Sequence, residues 1–480
     1  MAYRNLGEYL ADLEKRGELH RVKVEVDPVL EMAEVAVRLV RGRGPAVLFE
    51  RAKGSPYPVA MNLFGTPARV KLALGDDPDA IGQRVASWLD LPRLEGWGDR
   101  MRALPRLAQV ASFFPRRVSR APCQEMVEEC PSLAGLPVLQ CWPGDAGRFL
   151  TLPLVITRDP LSGRTNVGMY RMQVYDERTC GMHWHVHKDG ARHARALVRG
   201  ERLPVAVAVG GDPATIYAAT APLPAGLDEY LFAGFLRQAP VELVKGVSVD
   251  LEVPAEAEFV LEGYVEVGEE RVEGPFGDHT GYYSPPEPYP VFHLTALTRR
   301  RHPVYPATVV GPPPMEDAWL GKATERIFLP LLRLLIPDLV DLDLPVEGVF
   351  HNFAIVSIRK RYPGHARQVM SALWGLGLLA LTKVLVVVDD DVDVHDYRQV
   401  TWVVGTSVDP GRDATVLSGP LDALDHAAPY PGYGTKMGVD ATRKWPGEGP
   451  VRTWPERAEM SPQVCALVDR RWEEYGFGLR

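Results

Sequence analysis

The sequence is poor in the features that mark several common classes of protein. Its 480 residues include only five cysteines, and no two of them form a Cys-x-x-Cys pair. An odd number of scattered cysteines predicts neither a disulfide framework nor a zinc knuckle. There is also no Gly-x-Gly-x-x-Gly fingerprint, no P-loop and no Gly-x-Ser-x-Gly elbow. Nicotinamide redox chemistry and serine hydrolysis are therefore not indicated.

Long apolar runs and an excess of positive charge are also missing. The formal net charge is -8, which argues against a nucleic-acid binder that works by neutralising phosphates. No apolar run reaches transmembrane length, and the N-terminus has an amphipathic helix pattern without the hydrophobic core of a signal peptide. Together with the cysteine usage, these features predict a protein of the reducing cytoplasm.

The length and composition are those of an ordinary multidomain protein. Hydrophobic residues make up 46% and charged residues 24%, and 480 residues exceed what one core normally holds. The patterns predict an α/β region over residues 1–120, a strand-rich region over 121–314, an α/β domain over 315–445 and a tail with a helix over 446–480. The Pro/Arg-rich stretch 105–122 is expected to be a linker. Many short strands in the second region suggest a barrel or a sandwich.

The stretch 166–187 has an unusual polar content for its predicted structure, two strands over 167–175 and 181–188 joined by a turn. The polar residues among the strand formers are Asn166, Arg171, Gln173, His183, His185 and His187. Buried polar groups are costly unless they are paired or bound to a ligand. The stretch is therefore a candidate site.

The three histidines have more than one interpretation. In a regular strand, His183, His185 and His187 would point to one face, which could hold a metal, a phosphate or only water. A solvated strand face is the simpler interpretation for at least two of them. Glu229, in a mostly apolar helix pattern, is either a helix N-terminal charge or a buried ligand. Asn166, one histidine and Glu229 could supply ligands for manganese or magnesium bridging a phosphate.

A second unusual stretch is 273–279, Glu-Gly-Pro-Phe-Gly-Asp-His. A surface turn is the simple interpretation, since glycine and proline mark turns. Aromatic and titratable neighbours argue for a site instead, and they are Phe276, His279, Tyr282 and Tyr283. Such surroundings can raise the pKa of Glu273 or Asp278 toward neutrality and make it a general acid. Arg171 could pair with one of these carboxylates or with an anionic substrate.

Two features of the C-terminal half suggest anion binding, and each has a plain structural alternative. Lys383 opens an apolar strand over 383–391 and is either an edge lysine or a phosphate partner. The run 434–440 hints at an anion-binding loop, although it lacks the P-loop pattern. Beyond a helix near 396–404, we expect a loop-rich segment that ends in a helix over 463–475.

Several long strings occur in a fixed order along nearly the whole chain. They are NVGMYRMQ, PLPAGLDEYLFAGFLR, EGPFGDHTGYY, LTKVLVVVDDDVDVHD and TKMGVDATRKWPGE. These strings resemble the UbiD-like decarboxylase family, the carboxy-lyases that use prenylated FMN. The overall similarity is to the 3-polyprenyl-4-hydroxybenzoate decarboxylase branch of that family.

The resemblance implies an α/β multidomain fold, in which a central flavin-binding split β-barrel is flanked by an α/β N-terminal region and an α/β C-terminal domain. It also implies a homo-oligomer, a dimer or a trimer of dimers, with the tail 446–480 as a contact. The implied ligands are prenylated FMN, Mn2+ and K+. A flavin prenyltransferase would supply the cofactor.

The resemblance also implies which residues bind these ligands. The manganese ligands by motif position are Asn166, His187 and Glu229. The main-chain carbonyls expected around potassium belong to Ala219, Thr220 and Ala221. Residues expected at the cofactor are Asn166, Val167, Gly168, Met169, Tyr170, Arg171, Gln173, His187 and Lys383. This assignment leaves His183 and His185 as pocket wall or structural groups.

The Glu-Arg-Glu catalytic trio of the family corresponds here to Glu273, Arg171 and Asp278. The third position is aspartate, where other branches carry glutamate. The resemblance implies that Arg171 orients the substrate carboxylate and is held by Glu273. Asp278 would deliver a proton to the carbon that held the departing CO2.

The implied function is reversible, non-oxidative decarboxylation of an aromatic acid, such as a hydroxybenzoate or hydroxynaphthoate quinone precursor, with or without a polyprenyl chain. A lipidic substrate of that kind would involve transient membrane association. One alternative is an enzyme for small phenolic, heteroaromatic or α,β-unsaturated acids. Two others are a flavin-binding scaffold that partners the prenyltransferase and a simple FMN oxidoreductase.

Overall fold

The computed structural model describes residues 3–89, 108–184, 189–224, 226–449 and 452–477. The α-helices in these residues are Leu6–Lys15, Glu31–Arg41, Pro67–Leu74, Pro78–Leu89, Asp189–Arg195, Pro213–Ala218, Glu229–Arg237, Glu316–Leu335, His365–Trp374, Tyr397–Ser407, Pro410–Asp413 and Pro462–Arg471. Short 3-10 helices are Pro122–Gln124, Val346–Gly348 and Gly377–Leu381. None of the helices described is long and apolar enough to span a bilayer.

The N-terminal sheet has four strands, in the order Leu19–Val26, Ala46–Ala52, Val59–Met61 and Tyr305–Pro306. The first helix of the chain starts because the Asn5 side chain accepts the Glu8 N–H at 2.9 Å. One face of that helix is buried, and the buried residues are Leu6, Tyr9, Leu10 and Leu13. Because the fourth strand follows the whole central sheet in sequence, it fastens the first two regions to each other.

The central sheet has nine strands. Eight lie in the order Phe149–Leu150, Met172–Val174, Thr179–Met182, Glu287–Arg299, Phe259–Glu273, Arg202–Val209, Pro153–Arg158 and Thr165–Met169, and Met126–Val127 pairs with Glu287–Arg299. The combination of this sheet with the other sheets and the helices of the chain confirms the predicted mixed α/β multidomain architecture.

The predicted strand 167–175 is wrong in one respect, because the structure divides it. Thr165–Met169 pairs with Pro153–Arg158 at one end of the sheet order, while Met172–Val174 pairs near the other end. Consecutive residues therefore belong to opposite ends of the sheet. Arg171 lies in the link that joins those two ends.

Part of the expected linker 105–122 belongs to a sheet. Residues 105–107 lie outside the described residues, but Arg116–Arg117 pairs with Glu242–Lys245. That strand pairs in turn with Glu252–Pro254, which makes a three-stranded sheet. Main-chain pairing to a distant strand, which local composition does not report, explains the difference.

The acidic turn 273–279 is part of a β-ribbon. Phe276–Gly277 pairs with Tyr283–Ser284 in antiparallel fashion directly after the long strand that ends at Glu273. The turn between them is closed by hydrogen bonds from Asp278 N–H to the Tyr282 carbonyl and from Gly281 N–H to the Asp278 carbonyl. The ribbon therefore gives Asp278 a fixed backbone position.

The C-terminal sheet has five strands, in the order Leu339–Asp343, Phe353–Ile358, Val384–Asp389, Tyr433–Asp440 and Ala414–Pro420. The inner three strands run parallel to one another. The expectation of an anion-binding loop at 434–440, within a loop-rich segment, is therefore wrong. This segment is a strand because it pairs with the apolar strand Val384–Asp389, and its Lys436 is buried.

Helix Glu316–Leu335 leads from the central sheet into the C-terminal sheet, and it packs on helix Pro78–Leu89. The contact is close at Gly82, where a Cβ atom would lie 2.6 Å from the Arg326 carbonyl oxygen. Backbone groups on both sides cannot yield as a flexible side chain can. Glycine at position 82 is therefore required by the packing of two helices.

We expect alanine to have opposite effects at two helical glycines. Gly82→Ala should lower the unfolding midpoint, costing about 1–3 kcal/mol, because the added methyl group overpacks the helix contact. Gly405→Ala is the control, since Gly405 lies in helix Tyr397–Ser407, where an added Cβ would meet no neighbouring element within 4 Å. It should raise stability by about 0.4–1 kcal/mol. Thermal unfolding measures both changes, and stabilisation by Gly82→Ala would contradict the packing described.

Candidate active site

Arg171 lies at the centre of a buried charged cluster. Its Nε donates to Glu273 Oε1 at 3.0 Å and its Nη2 donates to Glu273 Oε2 at 3.3 Å, which makes a bidentate pair. Its Nη1 donates to Asp278 Oδ2. The side chains of Arg171, Glu273 and Asp278 expose only 9%, 0% and 10% of their surface. The three residues expected to form a trio are thus brought into direct contact.

Two further groups fix the guanidinium of Arg171. Its Nη2 also donates to Ser284 Oγ at 3.1 Å, and the ring of Phe276 lies 4.6 Å from its central carbon. Stacking on an aromatic face favours a cation. Arg171 has five N–H groups, and its contacts with the described residues use four of them. Among those residues, one N–H on Nη1 remains for a further acceptor. That N–H lies beside Asp278.

The pKa values of the two carboxyl groups run against the sequence-based expectation. Burial alone would raise the pKa of Asp278, but the hydrogen bond from His279 and the charge of Arg171 hold it well below its usual range. Burial would also raise the pKa of Glu273. The hydrogen bond with His183 and the charge of Arg171 outweigh this effect, so the pKa of Glu273 is lowered. The expectation of a raised carboxyl pKa is wrong for this state. The reason is that each carboxylate has a cationic or N–H partner, which outweighs burial.

The predicted strand over 181–188 stops short of His183. Strand Thr179–Met182 ends before His183, whose Nδ1 lies 2.5 Å from Glu273 Oε2. Burial lowers the pKa of His183, although this hydrogen bond opposes the shift. The interpretation of His183 as a structural group agrees with this contact, while His185 and His187 lie outside the described residues.

A second histidine extends the cluster toward the C-terminal sheet. His279 Nδ1 lies 2.8 Å from Asp278 Oδ1, and its Nε2 lies 3.1 Å from Asp422 Oδ2. The same Asp422 oxygen is 2.7 Å from His351 Nε2. A continuous chain of hydrogen bonds therefore runs from Arg171 through the acidic ribbon to two loops of the C-terminal sheet.

Glu229 contacts the backbone of the residue that follows Asn166, at the end of the central sheet. Asn166 is buried on strand Thr165–Met169, and Glu229 Oε2 accepts the neighbouring Val167 N–H at 3.1 Å. Glu229 opens helix Glu229–Arg237, so it is a helix N-terminal charge, and its side chain is half-buried. Burial raises its pKa to about 7. No basic side chain among the described residues forms an ion pair with it.

The residues expected around potassium adjoin the same strand. Ala219, Thr220 and Ala221 follow helix Pro213–Ala218. The Ala219 carbonyl accepts the Met169 N–H at 3.1 Å, and the Ala221 carbonyl accepts the Leu223 N–H at 2.8 Å. Each carbonyl keeps a second lone pair that a cation could use.

The other residues expected at the cofactor fall into two groups. Val167, Gly168 and Met169 lie on the edge strand, with Tyr170 directly after them, and a Cβ at Gly168 would lie 2.4 Å from the Tyr170 ring. Gln173 serves the acidic turn instead. Its Oε1 accepts the Gly274 N–H at 2.8 Å and its Nε2 donates to the Ala146 carbonyl at 3.1 Å.

Lys383 is not in contact with the arginine cluster. It precedes strand Val384–Asp389, and its Nζ lies 2.8 Å from Asp425 Oδ2. Asp425 belongs to the same turn as Asp422, which does reach the cluster through His279. Lys383 therefore neutralises Asp425, in the turn that also carries Asp422.

Sequence reasoning missed several residues of the cluster. They are Ser284, His351 and Asp422, which are hydrogen-bonded within it, and Asp317, which interacts electrostatically with Asp278 and His279. Asp422 follows strand Ala414–Pro420, and nothing in its immediate sequence marks it. The EGPFGDHTGYY string did contain one usable signal, because a histidine directly after a buried acid needs a partner for its second nitrogen.

Fold and site together define a multidomain α/β protein with a buried arginine held by two carboxylates. The chain belongs to the UbiD family of carboxy-lyases. Three domains of the 3-octaprenyl-4-hydroxybenzoate carboxy-lyase match it: the N-terminal domain over residues 10–89, the Rift-related domain over 116–313 and the C-terminal domain over 318–441.

Similar proteins match over the full length. An uncharacterized protein of Archaeoglobus fulgidus is 56% identical over 99% of both chains. The UbiD-class enzyme HmfF of Pelotomaculum thermopropionicum, solved with FMN, is 33% identical, covering 97% of this chain and 99% of its own with a TM-score of 0.79. An evolved dimeric form of HmfF was solved with prenylated FMN.

The vanillic acid decarboxylase of Sedimentibacter hydroxybenzoicus is a similar protein that has been solved in a closed and an open form. The closed form is 29% identical, covers 100% of both chains and gives a TM-score of 0.86. The open form, at the same identity and over 99% of both chains, gives a TM-score of 0.77. This chain therefore superposes better on the closed form than on this open form.

We expect the buried cluster to contribute strongly to stability. Glu273→Gln should cost about 3 kcal/mol or more, since it leaves Arg171 and His183 with an uncharged partner in a buried site. Glu269→Gln is the control, because Glu269 also pairs with a histidine, His293, but is 40% exposed. It should cost no more than about 1 kcal/mol. Urea unfolding measures both, and equal effects would contradict the burial of the cluster.

Proposed function

We propose that this protein is a prenylated-FMN-dependent, reversible, non-oxidative decarboxylase of an aromatic carboxylic acid. The observation that carries the proposal is the guanidinium of Arg171, buried between Glu273 and Asp278. A cation at this place can bind a substrate carboxylate, and an acid beside it can return a proton. We infer that the nine-stranded sheet corresponds to the split barrel that holds the flavin.

The described residues fit a metal-bound phosphate at the end of strand Thr165–Met169. Asn166 offers an amide oxygen and Glu229 a carboxylate without a basic partner among the described residues, which suits Mn2+ or Mg2+. His187, outside the described residues, would complete the set, and the carbonyls of 219–221 would serve K+. Prenylated FMN, when bound, supplies the electron sink for the charge left by departing CO2.

The residues of the cluster divide the work between them. Arg171 binds and orients the substrate carboxylate through the N–H that remains on Nη1. Glu273 keeps the guanidinium in place, and His183 keeps Glu273 in place. After CO2 has left, Asp278 delivers a proton to the carbon that carried it. Burial of the cluster limits access of water, which strengthens each electrostatic contact.

Two classes of aromatic acid are candidate substrates. The first is a hydroxybenzoate or hydroxynaphthoate quinone precursor, with or without a polyprenyl chain, which the similarity to the 3-octaprenyl-4-hydroxybenzoate carboxy-lyase domains supports. The second is a small phenolic acid, which the similarity to the vanillic acid decarboxylase supports. Release of CO2 from prenylated and unprenylated forms of one hydroxybenzoate, measured side by side, separates them.

The proposal includes a homo-oligomer and a flavin prenyltransferase as the source of the cofactor. Helix Pro462–Arg471 has no buried residue in the single chain, and its Val464 and Leu467 are 42% and 43% exposed. An apolar, exposed terminal helix supports its use as a contact between subunits. A scaffold without turnover is less well supported, because the Arg171 cluster is complete.

Replacing Asp278 tests its role as the acid. Asp278→Asn should abolish CO2 release while flavin stays bound, because the change removes a proton donor and leaves the phosphate ligands untouched. Asp278→Glu should retain measurable turnover, since it keeps the acid. Turnover and flavin absorbance are measured on the same samples. Near-normal decarboxylation by Asp278→Asn would make Glu273 the leading candidate for the acid.

Replacing Glu229 tests the cation site. Glu229→Gln should release manganese and flavin together, since it removes a charged residue that would hold the metal, and the metal would hold the cofactor phosphate. Glu258→Gln is the matched control, because burial also raises the pKa of Glu258 to about 7, yet its carboxylate bonds the Val304 N–H and faces Arg300. Metal analysis and flavin absorbance of both variants give the answer. Retention of both ligands by Glu229→Gln would refute the assignment.

A further inference from the structure

His279 has a carboxylate at each of its ring nitrogens. Nδ1 lies 2.8 Å from Asp278 Oδ1 and Nε2 lies 3.1 Å from Asp422 Oδ2. A neutral imidazole donates from one nitrogen only, whereas the protonated ring donates from both. Two carboxylate acceptors therefore require His279 to be charged. The ring is 16% exposed, which is more than Asp278 or Arg171.

The second carboxylate comes from a different domain. Asp422 lies in the C-terminal domain, 318–441, while His279 lies in the Rift-related domain, 116–313. Asp422 is oriented by its own neighbours, since Oδ2 is 2.7 Å from His351 Nε2 and Oδ1 accepts the Leu424 N–H at 2.9 Å. The charged contact to His279 therefore forms only when the two domains meet.

We propose that His279 is the immediate proton source for Asp278, and that Asp422 holds this proton on His279 when the C-terminal domain is docked. This inference rests on the decarboxylase proposed above. In the step, the N–H bond at His279 Nδ1 breaks and an O–H bond forms at Asp278 Oδ1. Asp278 then passes a proton to the substrate carbon. His279, then neutral and still donating from Nε2 to Asp422, regains a proton at Nδ1 from water that reaches the partly exposed ring.

The charges of the cluster agree with this role. Burial lowers the pKa of His279, but the hydrogen bonds to Asp278 and Asp422 outweigh it and raise the pKa to about 10. The pKa of Asp278 is held well below its usual range. At neutral pH Asp278 therefore carries no proton of its own. A neighbour has to supply one in each turnover, and His279 is in direct contact.

Charged and titratable groups face His279 from every element packed against it. They are Asp278 of its own turn, Arg171 of the strand link, Asp317 of helix Glu316–Leu335, His351 of the loop before Phe353–Ile358, and Asp422. Burial raises the pKa of Asp317 to about 7, so that this group gains charge as pH rises. That added negative charge favours the protonated form of His279 and does not oppose the proposal.

The charge on His279 can be measured without any turnover. In full-length protein labelled with 15N-histidine, the His279 signals are those that His279→Gln removes from the spectrum. We expect both ring nitrogens to stay protonated at pH 8, with a titration midpoint near 10. Asp422→Asn should lower that midpoint by at least about one pH unit, because it removes one of the two carboxylates. A midpoint near 6.5 in the wild type, or no shift in Asp422→Asn, would overturn the proposal.

A control variant separates the charge from mere contact between the domains. The rings of Tyr282 and His426 form a second contact across the same junction, 4.0 Å apart. His426→Ala removes that contact and leaves the His279–Asp422 pair in place. The His279 midpoint should then stay at its wild-type value. A fall as large as that in Asp422→Asn would show that domain contact alone holds the proton, and would overturn the role of Asp422.

Kinetics on the cofactor-loaded enzyme tests the proton transfer itself. His279→Gln should lower kcat by about 100-fold or more without raising KM, since the loss is of a proton donor. As pH rises, kcat of the Asp422→Asn variant should begin to fall at a lower pH than kcat of the wild type. Asp422→Glu should restore the wild-type dependence of kcat on pH. Unchanged kcat in His279→Gln would overturn the proposal. If the wild type released no CO2 while its His279 midpoint was near 10, the decarboxylase function would be refuted and the charge on His279 would stand.

Discussion

The positive charge of Arg171 is the feature on which the rest of the site depends. Moving a guanidinium out of water into a protein interior is costly. Arg171 is stable in the buried site because Glu273, Asp278, Ser284 and the Phe276 ring surround it. Removing one partner would leave an uncompensated charge. The same arrangement holds the remaining N–H in a fixed direction, so stability and substrate binding are supplied by one set of contacts.

The fold is arranged so that these partners can meet. Arg171 lies in the link between the two ends of the central sheet, Glu273 ends its longest strand, and Asp278 lies in the ribbon that follows. The C-terminal domain lies against the ribbon, where Asp422 meets His279.

Local patterns in the sequence predicted the parts of the fold that depend on local interactions. Helix Leu6–Lys15 follows from its cap and its apolar face, and the acidic turn follows from its glycines and proline. Strand Tyr433–Asp440 was not predictable, because it exists only through pairing with a distant apolar strand. The contact to Asp422 was missed for the same reason, since Asp422 is far from His279 in the sequence. The lowered pKa of Asp278 depends partly on the adjacent His279 and partly on Arg171, which is 107 residues away.

The identity of the bound cofactor tests the proposed function most directly. Native mass spectrometry of the protein, co-produced with a flavin prenyltransferase, gives the mass of the ligand that stays bound without a covalent bond. We expect the mass of prenylated FMN together with one manganese ion. Plain FMN, or no flavin at all despite the co-production, would contradict a prenylated-FMN-dependent decarboxylase and favour a scaffold or an oxidoreductase.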